Sequence, residues 1–391
     1  MIFFKKIFAI SFANGLNSVL GFLTTFLIVR FISVDVLGEY TVFLSMIGLI
    51  SIVFSIIPPN YSVIKFQEDV FFKNILFLNY IIVSILILLA LIVFDLFIKI
   101  DVLKVFVFVV STGFLNYIDI YSQAKSKLKS YYYFLLFISF LKLLVILYMI
   151  HFHLLSFKLL LYYFTIVHLC IIFIICFFKR KNIISFLIKP SLIIDLLKFL
   201  ITNFISFKAY YFNSIIKRFR TTSIVLVFDL FVPKSTIGLF SLFVKVLSFS
   251  NGLFRVIEAF FMNKLNQTNH KKLFKSKFHL IGGALFVINF LTGLVYLKIN
   301  IDQFYFIENI ILSTLSFSYI KFIYTRSELL IGYQNKTLNY SELIFIVVLF
   351  TTSGFMCYFN LTGLIYLVLS YYISTLILQL YVINKKNIIK V

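Results

Sequence analysis

Between Leu196 and Arg220 a series of small, polar and basic residues, Thr202, Ser206, Ala209, Asn213, Lys217 and Arg220, recurs every three or four positions. At about 100° per residue that spacing stacks them on one side of a helix whose other sides are apolar. The next long apolar run, Ile237 to Asn263, repeats the pattern with Ser241, Lys245, Ser248, Gly252 and Arg255, while Lys208 and Arg218 add charge to the preceding helix. A cation at the centre of a bilayer costs about 2.5 to 3.5 kcal/mol even on the mildest scale, so such residues are expected to face a wet cavity or an anionic ligand. The pattern predicts a membrane transporter with a cationic interior. Local alternatives stand beside that expectation. Lys217, Arg218 and Arg220 snorkel to the outer surface, Lys245 pairs with Asp229, or Arg255 pairs with Glu258 three residues on. Lys245 and Arg255 lie about 15 Å apart along a helix axis, so they suit successive positions on a path rather than one shared anion.

The elements that carry these residues follow from composition. Of 391 residues, 62% are hydrophobic and 13% charged, with a mean hydropathy of +1.07. That is far more apolar than a soluble protein, so the fold expected is an all-α polytopic membrane protein. Twelve apolar runs are long enough to cross as helices. They are Ile7 to Ile32, Leu37 to Ile57, Ile75 to Phe94, Val105 to Tyr121, Tyr131 to Ile150, Leu159 to Phe178, Leu196 to Ile216, Ile237 to Phe261, Phe278 to Leu297, Phe304 to Tyr324, Ser341 to Tyr358 and Leu361 to Ile383. The short run Ile224 to Val232, ending at Pro233, either prolongs the seventh helix or forms a separate interfacial piece. The first run is too long for a signal-peptide core and lacks a small-residue cleavage site, so it is expected to remain as a span.

With a cytoplasmic N-terminus, 23 of the 36 basic residues fall on inside segments, which favours both termini in the cytoplasm. The net charge of +22 is largely this anchoring, so no nucleic-acid partner is expected. Cys170, Cys176 and Cys357 lack metal or redox spacing. A P-loop, a dinucleotide fingerprint and a metal-ligand cluster are all missing, so neither a cofactor nor an enzymatic activity is expected. His151 and His153 could offer two imidazoles in an outside loop, without a third ligand nearby.

The chain also looks duplicated. A shift of 200 residues lays Phe31, Leu37, Gly38, Tyr40, Thr41, Val42 and Phe43 on Phe231, Ile237, Gly238, Phe240, Ser241, Leu242 and Phe243. A weaker match at a slightly larger shift sets Gln123, Lys125, Ser126, Ser130 and Phe134 against Gln334, Lys336, Thr337, Ser341 and Phe345. Six spans separate equivalent points, which describes two parallel six-helix bundles, residues 1–178 and 196–391, with the substrate site between them. The basic segment 179–195, with Ile183, Ile184, Phe186, Leu187 and Ile188, is expected to be a cytoplasmic amphipathic linker.

At three places the sequence resembles the Wzx-type polysaccharide flippases, within the superfamily of multidrug, oligosaccharidyl-lipid and polysaccharide exporters. They are Asn14-Gly15-Leu16-Asn17 through Phe31 to Tyr40; Tyr121-Ser122-Gln123-Ala124 with the basic turn after it; and Leu196 to Phe207 followed by Thr236 to Ser241. The resemblance implies a MATE-like fold and a flippase of the bacterial inner membrane. Its cargo would be an oligosaccharide repeat unit on undecaprenyl diphosphate, used for O-antigen or capsule synthesis, and its partners a polysaccharide polymerase and other glycan-assembly proteins. A diphosphate crossing a low-dielectric barrier needs cations that offset its charge. Lys208, Lys217, Arg218, Arg220, Lys245 and Arg255 are the candidates, with Lys142 in the fifth span as a further one. Asn14, Asn17, Ser18, Gly21, Thr24 and Thr25 on the first helix, and Asn213 on the seventh, either hydrogen-bond sugars in a wet lumen or join helices. An ion-coupled multidrug exporter is the alternative and needs acids inside the membrane. Asp119 and Glu258 are the acids that would titrate as coupling residues, unless the membrane potential acts on the charged cargo. A membrane glycan polymerase is disfavoured because the outside loops are short.

Overall fold

The computed structural model describes residues 2–57, 62, 72–95, 101–124, 128–154, 156–178, 191–247, 278–301, 305–331 and 335–389. Among these the chain is all-helical, without a strand. The order is α1 (Ile2–Phe31), α2 (Val34–Ile50) with a 3-10 turn (Ser51–Ile56), α3 (Phe72–Asp95), α4 (Val102–Ala124), α5 (Leu128–His151), α6 (Phe157–Phe178) and α7 (Ser191–Asp229). It continues with α8 (residues 234–247), α9 (Phe278–Ile301), α10 (Phe306–Ile331), α11 (Asn335–Tyr358) and α12 (Leu364–Ile389). Eight of the described helices are long and apolar enough to cross a membrane: α2 with its turn, α3 to α6, and α10 to α12. Helices α1 and α9 contribute the shorter apolar stretches Gly15–Phe31 and His279–Val295. The protein is therefore membrane-embedded and built from helices, the element that satisfies every backbone donor and acceptor within itself.

Helix ends are closed by local chemistry. Ser33 Oγ accepts from the Val36 N–H at 3.1 Å, Asp101 Oδ1 from the Lys104 N–H at 3.2 Å, and Ser156 Oγ from the Leu159 N–H at 3.3 Å, so the first turns of α2, α4 and α6 carry side-chain caps. Helices α5 and α11 stop in the same way. His153 and Asn360 take positive φ, at 55° and 53°. The next residues reach back, Leu154 N–H to the Met149 carbonyl and Leu361 N–H to the Met356 carbonyl, each at 2.8 Å. This is the Schellman arrangement, and it repeats at a shift of 207 residues. His153 is thus the residue that terminates α5.

The run Ile224 to Val232 continues α7 to Asp229 instead of forming a separate piece. No Gly or Pro interrupts the sequence from Ser191 to Val232, and prolines stand on either side at positions 190 and 233. At 39 residues α7 is about 58 Å long, nearly twice the roughly 30 Å of a hydrocarbon core. Of the expected linker, residues 191–195 form the start of this helix, and 179–190 lie outside the described residues.

Two compact units result: residues 1–43 with 220–391, and residues 44–219. The first is centred on Phe228, Phe240, Phe345, Leu367 and Val382. Side-chain hydrogen bonds tie its helices, Asn289 Nδ2 donating to Ser316 Oγ at 2.6 Å, Asn309 Nδ2 to the Phe290 carbonyl at 2.8 Å, and Thr352 meeting Ser370 at 2.5 Å. Ser318 donates to Gln379 in the same way. The second unit has an aromatic centre in which Tyr80 stacks on Phe54 at 5.3 Å and meets Tyr117 edge-on at 5.6 Å.

The tightest backbone approach in the first unit is reciprocal. A Cβ on Gly38 would stand 1.9 Å from the Lys234 carbonyl oxygen, and a Cβ on Gly238 would stand 2.1 Å from the Val34 carbonyl oxygen. Gly38 and Gly238 differ by 200 positions, as do Val34 and Lys234, so the contact obeys the same shift as the sequence match. The first turns of α2 and α8 cross where only hydrogen fits. Gly38→Ala and Gly238→Ala are each expected to cost about 1 to 3 kcal/mol by forcing these turns apart. Gly354→Ala, with nothing near its Cβ, is expected to be neutral or stabilising by up to about 1 kcal/mol. Thermal unfolding of the three purified variants checks this.

Candidate functional site

The basic face of α7 lies deep along the helix. Counting back from Asp229, Arg220, Arg218 and Lys217 are about 14, 17 and 18 Å from the turn at Leu230 to Pro233. Both arginines have polar partners.

Arg218 Nη1 donates to the Ser51 carbonyl at 3.1 Å and lies 3.4 Å from Ser51 Oγ. Ser51 is fully buried at the point where α2 gives way to its 3-10 turn, a break that weakens the regular backbone hydrogen bonding of the helix. Arg218 closes that break, a cation at a helix C-terminus being also the favourable sign for the helix dipole. Tyr80 sits in the field of both Arg218 and Asp119, and Asp119 also acts on Tyr131, so the candidate acid and this cation belong to one neighbourhood of the second unit.

Arg220 is held differently. Its Nε lies 2.5 Å from Oε2 of Glu342 on α11, with the two side chains 18% and 5% exposed, and its guanidinium stands 5.3 Å from the centroid of the buried Phe345 ring. Glu342 was not evident from sequence. The apolar run there begins at Ser341, which makes the acid look terminal. Helix α11 starts at Asn335, placing Glu342 about 10 Å along it. The available signal was Phe345 three residues later, which shares a face with Glu342.

Arg218 and Arg220 are each engaged by an acceptor within the protein. Asp229 pairs with Lys234 across the short turn, and not with Lys245. Lys245 is exposed on α8, about 16 Å from the start of that helix. On α1, Asn17 is half-buried, and Thr25 donates to the Gly21 carbonyl of its own helix at 3.0 Å. The side chains of Asn14, Lys208, Asn213 and Lys217 lie outside the described residues, as do Arg255 and Glu258 altogether. In the second unit an apolar cavity of about 270 Å³, lined by Phe77, Ile81, Phe106 and Phe114 among others, contains no cation.

No family, curated protein or solved structure matches this chain. The arrangement holds Arg218 and Arg220 on fixed acceptors and pairs Glu342, the buried acid of α11, with a cation.

If the Arg220–Glu342 contact is the buried ion pair described, removing one partner strands the other. Arg220→Leu and Glu342→Leu are each expected to destabilise by about 3 to 5 kcal/mol, and the double variant to recover most of that loss. Unfolding of the four proteins in a double-mutant cycle measures it.

Proposed function

We propose that the protein is a flippase that carries undecaprenyl-diphosphate-linked oligosaccharide repeat units across the bacterial inner membrane for O-antigen or capsule synthesis. The observation that carries this reading is the basic face of α7 and α8, with Lys245 exposed on α8. A lipid-facing lysine within a membrane span is unfavourable, whereas one facing a wet path is both tolerated and useful to an anionic cargo. The sequence resemblance to Wzx-type flippases supports the same substrate class. So does the internal repeat, seen in the paired glycines and in the matching ends of α5 and α11, because two like halves are the usual frame for alternating access.

In this reading twelve spans form two parallel six-helix bundles with both termini in the cytoplasm. Lys245 and Arg255 serve successive positions of the diphosphate, and Lys208 and Lys217 are further cations for it. Arg218 and Arg220 hold the helices that carry the path, and Asn14, Asn17 and Asn213 offer amides to the sugars. A polymerase and other glycan-assembly proteins receive the product. The ion-coupled drug exporter is the weaker reading, since a cationic drug needs an accessible acid and Glu342 is already engaged by Arg220.

Deleting the gene is expected to trap the lipid-linked oligosaccharide on the cytoplasmic face, with rescue by wild type and at least tenfold weaker rescue by Lys245→Ala. Surface glycan together with protease- or lectin-accessible lipid-linked intermediate is the measurement. Normal glycan export in the deletion strain, with altered sensitivity to cationic drugs, moves the function to the exporter.

A further inference from the structure

The second unit contains an ionisable group that the cationic path does not use. His168 is 5% exposed and lies at the midpoint of α6, about 16 Å from Phe157. Its Nδ1 is 2.5 Å from Oγ of Ser111, a wholly buried residue about 14 Å along α4, and its ring stacks on Phe108 at 4.1 Å. An imidazole in the middle of a membrane helix is costly to keep and is a functional group by default.

Ser111 Oγ lies within hydrogen-bond reach of both the Phe108 carbonyl, at 2.9 Å, and His168 Nδ1. With its single hydroxyl hydrogen given to the carbonyl, Oγ accepts from Nδ1–H and Nε2 presents a lone pair. Nε2 is buried and has no hydrogen-bond partner among the described residues. Nε2 is thus the nitrogen open to a proton, on a ring held by a serine and an aromatic stack.

A second base adjoins it. Lys142, about 14 Å from the end of α5, places Nζ 5.6 Å from the centroid of Phe164, one helical turn before His168, and its charge acts on the imidazole. Of the other elements packed here, α4 presents Ser111 and Phe108, and α6 itself presents Thr165, which donates to the Leu161 carbonyl. The acid of α4, Asp119, is about 12 Å further along that helix, beside Tyr80 and Tyr131. Two positive charges in one apolar pocket repel, so the pair holds one proton more readily than two.

We propose that His168, with Ser111 and Lys142, forms a proton-binding site in the middle of the membrane, and that loading and unloading it couples cargo movement to the proton gradient. The coupling half rests on the transporter reading above; the proton site does not. On loading, Nε2 gains one proton from water, the Nδ1 to Ser111 bond stays, and the pocket gains one positive charge. Electrostatic repulsion then favours displacement of Lys142, which moves α5 relative to α6.

The test has two arms on the full chain. In lipid nanodiscs, the protein labelled with 15N-histidine and stripped of His151, His153, His270 and His279 is expected to show one imidazole that passes from neutral to doubly protonated on acidification. Lys142→Met is expected to strengthen proton binding at this ring roughly tenfold. A ring that stays neutral over the whole range in which the protein remains folded, in both proteins, overturns the site. In proteoliposomes, the probe is a fluorescent undecaprenyl-diphosphate-linked disaccharide whose flipping is followed with and without a pH gradient. A gradient-dependent rate in wild type that becomes gradient-independent in His168→Gln supports coupling, and unchanged gradient dependence in that variant overturns it. Titration of His168 without any flipping by wild type upholds the proton site and overturns the transporter reading and, with it, the coupling.

Discussion

The fold depends on one constraint: a polar or charged group within the hydrocarbon must find its partner inside the protein, because neither water nor lipid headgroups reach it. Arg218 meets the Ser51 carbonyl where α2 breaks, Arg220 meets Glu342, and His168 meets Ser111. Asn289, Asn309, Thr352 and Ser318 bind helices in the same manner. Without a hydrophobic difference between lipid and a neighbouring helix, these contacts and close packing select which helices meet. That is why so apolar a chain can have a defined interior. It is also why its few ionic groups are costly to disturb.

The same constraint separates cations that build from cations that act. Arginines 218 and 220 are two residues apart on α7, yet their partners lie in different compact units, with the division falling at Phe219 and Arg220. Each guanidinium anchors the helix to the unit it belongs to. Lysines are better suited to a moving cargo, since a single flexible ammonium can follow an anion, whereas a planar fork holds fixed acceptors. Lys245, exposed on α8, and Lys142, beside Phe164, are the lysines that the proposed path and proton site use.

Helical class and most element boundaries were legible in the sequence because they depend only on apolar length. The close approach of the first turns of α2 and α8 was legible as well, at Gly38 and Gly238, where the requirement for hydrogen at Cβ leaves a residue-level trace. The partners of the charges were not. Glu342 looked terminal because its helix begins with polar Asn335, Lys336 and Thr337, and nothing in local spacing ties it to Arg220, more than a hundred residues away. His168 stood alone in an apolar run, and its chemistry became readable only when α4 brought Ser111 to it. The pairing of Lys245 with Asp229 failed because Lys234, across a short turn, is nearer. Periodicity reports which face a residue shares, and only tertiary packing reports what that face meets.

The proposed path requires that the small, polar and basic face of α7 border water within the membrane. Single cysteines placed through residues 202–217, in a protein whose Cys170, Cys176 and Cys357 have been replaced, can be challenged with a membrane-impermeant thiol reagent in intact cells and in inverted vesicles. The account predicts reaction at positions 202, 206, 209, 213 and 217, recurring with helical period, and protection on the opposite face. Protection at every one of these positions in both preparations, with labelling confined to the helix ends, would contradict it.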